Sequence, residues 1–208
     1  DVSPVGVQRE DARPLSGGMA GSDPAFLIRD HLDRYGVDYA ILTGSHVLGL
    51  SVHPDPDWGN VIATAYNQNL ADRWLSHSPR FRGSIVVNHS DPAAAARAIR
   101  RYAPDRRFVQ VLMASGSPRL FGQRFFHPLY EAAAEYNLPV AIHPGTEGAG
   151  NAGAPTPAGR TTRYLEWHNI VPIDFMAHVN SLVCEGVLSS FPRLNSSASK
   201  AAWLGFRT

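Results

Sequence analysis

The sequence predicts an α/β fold built on a parallel sheet, and three features predict it. One pattern of capped helix, short break, apolar strand and loop occurs four times in succession. The helices open on Asp-Pro or His-Pro steps, which set an N-terminal start. The strands are short apolar runs of the kind buried on both faces, and helical crossovers between them return the chain to the same sheet edge.

In the first unit Asp23 caps a helix with Pro24 at its first position, Phe26, Leu27, Leu32 and Tyr35 form its stripe, and Gly36 ends it. Residues 37–43, VDYAILT, are the first expected strand. A second helix starts near Pro56 and runs through VIATAYNQNLADRWLSH, followed by a strand at 84–87. Ser90, Asp91 and Pro92 open the third helix, AAAARAIRRY, before a strand at 108–113. HPLYEAAAEYN is the fourth helix and 140–143 its strand. Residues 144–160 are rich in Pro and Gly and read as a long loop, a length that compact domains commonly use for function. A further helix is expected over about 173–190. After Leu194 a polar, Ser-rich stretch stands where a fifth apolar strand is due, so no strand is expected there. Three regions result: a flexible arm at 1–22, an ordered α/β body at 23–194 and a divergent tail at 195–208.

Nineteen basic residues against 18 acidic ones leave a formal charge of +1, with no dense basic run, so nucleic acid is not an expected partner. No apolar stretch is long enough to span a membrane and no signal-peptide pattern opens the chain, so a cytoplasmic location is expected. The single cysteine, Cys184, sits in an apolar run and reads as a buried, inert thiol.

Parallel α/β folds place their sites beyond the carboxyl ends of the strands, and three of the four ends here carry histidine: His46, His89 and His143. Imidazole serves either metal binding or proton transfer. His143 is the sharpest case, ending an apolar strand just before Pro144-Gly145. His46 and His89 are weaker catalytic candidates that also read as polar loop residues. Glu147 is placed either to ligate a metal or act as general base, or to be a solvated loop carboxylate. Asn88, His168 and Arg160 are the candidate substrate contacts, whereas His127 and His178 read as capping or packing residues.

HPLYEAAAEYNLPVAIHPGTEG resembles the amidohydrolase-related family that includes aminocarboxymuconate semialdehyde decarboxylase and the resorcylate decarboxylases. The phrases DRYGVDYAILTG, AYNQNLADRWL, PRFRGSIVV, APTPAGR and NSLVCEGVLSSFPRL are similar to the same family, together covering about 22–194. The resemblance implies a (β/α)₈ barrel with one divalent metal, usually zinc. Its ligands would be a His-x-His pair on the first strand, a histidine ending the fifth and an aspartate on the eighth. His143 matches the fifth-strand histidine. The His-x-His pair, the usual sixth strand and the eighth-strand aspartate have no match, so a partial barrel with its first and last strands missing or altered is expected. The implied function is a metal-dependent hydrolase or decarboxylase acting on a small carboxylated or cyclic molecule. The alternative is an inactive barrel portion that persists by association or binds a small molecule without turnover. A chain of about four strands leaves open edges and an uncovered interior face, which predicts a homo-oligomer.

Overall fold

A computed structural model describes residues 10–194 and 196–198. Its sheet has five strands in the order β1-β2-β3-β4-β5, every neighbouring pair parallel: β1 Ala40–Leu42, β2 Phe81–Val86, β3 Phe108–Ala114, β4 Val140–His143 and β5 Ser196–Ala198. Strand order follows the chain, as in a barrel wall built by successive β/α units. The arm at 1–22 is described only from residue 10, as turns and one 3-10 turn, Glu10–Ala12. Of the tail, Asn195 and residues 199–208 lie outside the described residues.

Three of the four predicted caps form; the helix opening at His127-Pro128 has no side-chain cap. Asp23 accepts the Phe26 N–H at the start of α1, Pro24–Leu27, which continues as a wider turn over Ile28–Asp33. Asp55 accepts from Asp57 and Trp58 at the start of α2, Pro56–Asn69, and Asp91 accepts from Ala94 at the start of α3, Pro92–Tyr102. Each cap satisfies backbone donors that the first helical turn leaves without partners. The remaining helices are α4 His127–Glu135, α5 Tyr164–Cys184 and α6 Val187–Ser190.

Four differences from the sequence reading have physical causes. Helix α5 begins at Tyr164, not near 173, because the Glu166 carboxylate takes the backbone N–H groups of Thr162 and Arg163 and closes the first turn. A 3-10 helix, Ser45–Val52, fills what reads as a loop after β1. The polar segment Ser196–Ala198 joins β4 as a strand, since ladder bonds are made by the backbone and need no apolar run. Cys184 is exposed rather than buried, lying near the outer end of α5.

The two sheet faces have separate covers. Ile85, Val87, Val111, Met113, Val140 and Ile142 share a core with α3, α4 and α5. Val86, Leu112, Ala114 and Ala141 point the other way and are buried under Leu48 and Leu50 of the 3-10 helix and Ala63 of α2. This cover corrects the expectation of a bare interior face: the segment after β1 folds back over it.

Asn67 of α2 does the work of a neighbouring strand. Its side chain donates to the Val86 carbonyl at 2.8 Å and accepts the Val86 N–H at 2.9 Å, beyond the point where the β1 pairing stops at Leu42. Asn67→Ala would leave both buried backbone groups unpaired, and a loss of about 2–4 kcal/mol is expected in urea unfolding. An unchanged urea midpoint would show that the side chain does not complete the sheet.

Candidate functional site

The parallel sheet brings the carboxyl ends of β1 to β4 to one edge, and the loop after β4 returns over that edge. Gly145 packs beside Leu48, and Gly150 lies against the backbone of Val52. His143 closes β4 opposite Ala114 of β3. Its Nδ1 lies 2.7 Å from the Pro144 carbonyl oxygen, an acceptor only, so Nδ1 carries the proton and the ring lone pair sits on Nε2. A backbone carbonyl on one ring nitrogen is the common way a ligating histidine is oriented.

Ser115, one residue past β3, organises this edge. Its N–H donates to the His143 carbonyl at 2.9 Å, its hydroxyl donates to Glu147 Oε1, and it accepts the Gly145 N–H at 3.3 Å. Glu147 is therefore buried and fixed, not a solvated loop carboxylate. Oε1 also takes the Gly145 N–H at 2.9 Å, while Oε2 is buried with no hydrogen-bond partner among the described residues. Facing it from α5 is Asp174, whose carboxyl is pushed up to about 6, first by burial and then by the Glu147 charge. A carboxyl raised in this way by burial and a neighbouring charge keeps a proton to higher pH than an exposed aspartate, as a general acid needs.

Next to them lies an aromatic stack. His178 of α5 stacks on Phe121 with centroids 3.8 Å apart, and His89 meets the same ring edge-on at 5.3 Å. His178 Nε2–H donates to the Ser115 carbonyl at 2.8 Å and Nδ1 accepts the Phe121 N–H at 3.3 Å. Burial lowers its pKa to about 4. His89 is 0% exposed and neither ring nitrogen meets hydrogen-bond geometry. Burial and the nearby His178 lower its pKa to about 3, an effect that the Ala114 carbonyl opposes.

The seven sequence candidates thus separate. His143 and Glu147 lie together at the β3–β4 edge with Ser115 between them. His89 turns into the aromatic core beside Phe121 and Phe126. His46 is exposed and lines a separate cleft with Tyr66 and Arg73, to which neither His89 nor His143 contributes. Asn88 is buried, giving its amide to Pro56 O and Asn60 and its carbonyl to Ser90, which ties β2 to the start of α2. Arg160 spans the long loop, donating to Gly148 O at 2.6 Å. His168 is exposed on α5, near Tyr164 and Trp167.

Sequence reasoning missed Ser115 and Asp174. Ser115 follows the one strand end without histidine and was findable by the strand-end rule alone. Asp174 was signalled only by a lone acid inside the apolar run VPIDFMAHV.

The amidohydrolase family's sequence model matches residues 19–196, most of the chain. The chain belongs to the amidohydrolase family. A solved 5-carboxyvanillate decarboxylase from Novosphingobium aromaticivorans, holding manganese and 3-methoxy-4-hydroxy-5-nitrobenzoic acid, superposes with a TM-score of 0.65 at 28% identity. The match covers 79% of this amidohydrolase chain and 46% of that one. The 5-carboxyvanillate decarboxylase of Sphingomonas paucimobilis gives 0.65 at 25% identity over 84% of this chain and 51% of its own. A 2,6-dihydroxybenzoate decarboxylase complexed with 2,6-dihydroxybenzoate gives 0.66 at 20% identity, covering 85% and 60%, and supports the fold alone. No curated protein matches the sequence. This amidohydrolase chain therefore spans about half the length of the first two solved relatives, and its sheet is a partial (β/α)₈ barrel.

Among the described residues of this amidohydrolase, no three His, Cys, Asp or Glu side chains come together to hold a metal ion. A catalytic zinc site takes three protein ligands plus water, so the described residues do not fit a complete centre of that kind. Among the described residues, no helix is long and apolar enough to cross a membrane.

Proposed function

We propose that the chain carries the β3–β4 part of a family active site that removes or hydrolyses a group on a small carboxylated ring compound, with decarboxylation favoured. The observation that carries this reading is the cluster of His143, Ser115, Glu147 and Asp174 at the carboxyl edge of a family sheet. The preference for decarboxylation is supported by the relatives at 25–28% identity, both decarboxylases of a carboxylated phenol. In such a reaction a ring carbon takes up a proton and the electron pair of the breaking C–C bond returns to the ring as CO₂ departs. Asp174 holds its proton to about pH 6 and is this chain's candidate donor. Of the cofactors, a divalent ion is supported by the manganese in a similar structure, and manganese replaces zinc as the preferred ion. His143 is the residue assigned to it.

The lack of a three-ligand group among the described residues favours a second reading, a barrel portion that binds a small molecule without turnover. We further propose that the chain self-associates, supported by Ile173, Met176 and Val183, which lie exposed on α5. Metal content decides between the two functional readings. Purified chain equilibrated with manganese and desalted is expected to retain about one ion, lost in His143→Ala. Ordered, metal-free protein would replace the first reading with the second.

A further inference from the structure

A cleft of about 510 Å³ opens at the carboxyl end of β1, three strands along the sheet from His143. Its floor is apolar: Pro24 and Leu27 of α1, Leu42 of β1 and Leu70 after α2. Tyr66 and Trp74 form aromatic walls, the latter backed by Phe81 at 6.0 Å. Arg73 supplies its cation, His46 lies at its rim, and no carboxylate lines it.

Two details show that the cleft is built to present polar groups. Gly44 takes a φ of +60 and lies under the Tyr66 ring, where any Cβ would overlap the phenol. The close approach sets the phenol at the carboxyl end of β1, and its hydroxyl has no hydrogen-bond partner among the described residues. Burial holds the pKa of this hydroxyl up at about 12, so it stays a donor at neutral pH. Arg73 makes no ion pair among the described residues, since the adjacent Asp72 accepts from Gln68 instead. A hydroxyl donor and a guanidinium over an apolar, aromatic floor form the polar-tip, apolar-body pattern of a small-ligand site.

We propose that this cleft is a second binding site, for a small aromatic carboxylate whose ring lies against Trp74 and Leu70 and whose carboxylate meets Arg73 and Tyr66. It is distinct from the site at His143. Three strand spacings separate β1 from β4, roughly 14 Å at ~4.8 Å each, which is further than one benzoate reaches.

The test is a titration of the whole chain with 4-fluorobenzoate followed by fluorine NMR, with 4-fluorotoluene as the uncharged control. Saturable binding of the benzoate is expected, with the toluene at least tenfold weaker. Arg73→Gln is expected to weaken the benzoate at least tenfold and Tyr66→Phe about threefold, while His143→Ala leaves it unchanged. Circular dichroism of each variant confirms folding, and Arg73→Lys, which keeps the charge, should retain most of the affinity if Arg73→Gln misfolds. Absence of binding would overturn the proposal, as would equal binding of the toluene, or loss of binding in His143→Ala with Arg73→Gln unaffected.

Discussion

Acidification from pH 7 to pH 4 is expected to remove on the order of 5 kcal/mol of folding stability, most of it through two buried histidines. His89 and His178 titrate at about 3 and about 4 in the folded chain, against 6.5 when unfolded. As pH falls below 6.5 the unfolded chain takes up both protons and the folded chain does not, so stability drops through that window and levels off only near the folded values. Asp174 acts in the opposite sense. Its folded pKa of about 6 lies above the ordinary aspartate value, so the folded chain gains a proton first and recovers part of the loss between about 6 and 4. Two histidines outweigh one half-buried carboxyl, and a domain at the low end of the ordinary range of about 5–15 kcal/mol then unfolds by about pH 4. His89→Leu sharpens the test. It removes a buried ring whose nitrogens meet hydrogen-bond geometry with no group among the described residues, so stability at pH 7 should rise by about 1–3 kcal/mol and the acid midpoint should move down. Thermal melts across pH read both, and a variant that melts lower at pH 7 would show that the ring has partners in solution.

Gly122→Ala is expected to cost about 2–4 kcal/mol, because helix α5 docks on the bare backbone there. The Gly122 N–H donates to Ser181 Oγ at 3.0 Å, and a Cβ would overlap the Ser181 carbonyl, which belongs to the helix backbone and cannot turn aside. Helix and loop would have to separate, loosening the His178 bonds to Ser115 and Phe121 as well. Gly49→Ala is the control, since its Cβ would meet only the Thr146 methyl at an ordinary 3.8 Å, and a change within about 0.5 kcal/mol is expected. Equal urea midpoints for the two variants would show that α5 is not seated on this backbone.

The order of elements was legible because it depends on local signals. Asp23-Pro24 and Asp91-Pro92 start helices wherever they occur, and VQVLM and VAIH fit only a sheet interior. The family was legible from HPLYEAAAEYNLPVAIHPGTEG, and with it the position of His143. Features set by distant partners were not legible. Nothing near Glu147 in sequence announces that Ser115, 32 residues earlier, will bury it, and the contrast between a stacked His178 and an unpaired His89 depends on how α5 lands on Phe121. The cover over Val86 and Leu112 was missed because Ser45–Val52 lacks a helical apolar stripe and shows its role only through the face it meets. Strand β5 escaped for a related reason: two serines and an alanine carry no period, and β4 supplies the template.

Under the proposed function, chemistry at the carboxyl edge of this sheet runs through His143 and its neighbours. Release of CO₂ from 2,6-dihydroxybenzoate and from 5-carboxyvanillate, with manganese added and His143→Ala in parallel, tests it most directly. Turnover of at least one of the two acids is expected, with a loss of at least a hundredfold in the variant. Folded chain that binds either acid without releasing CO₂, or a His143→Ala variant as active as the parent, would contradict it.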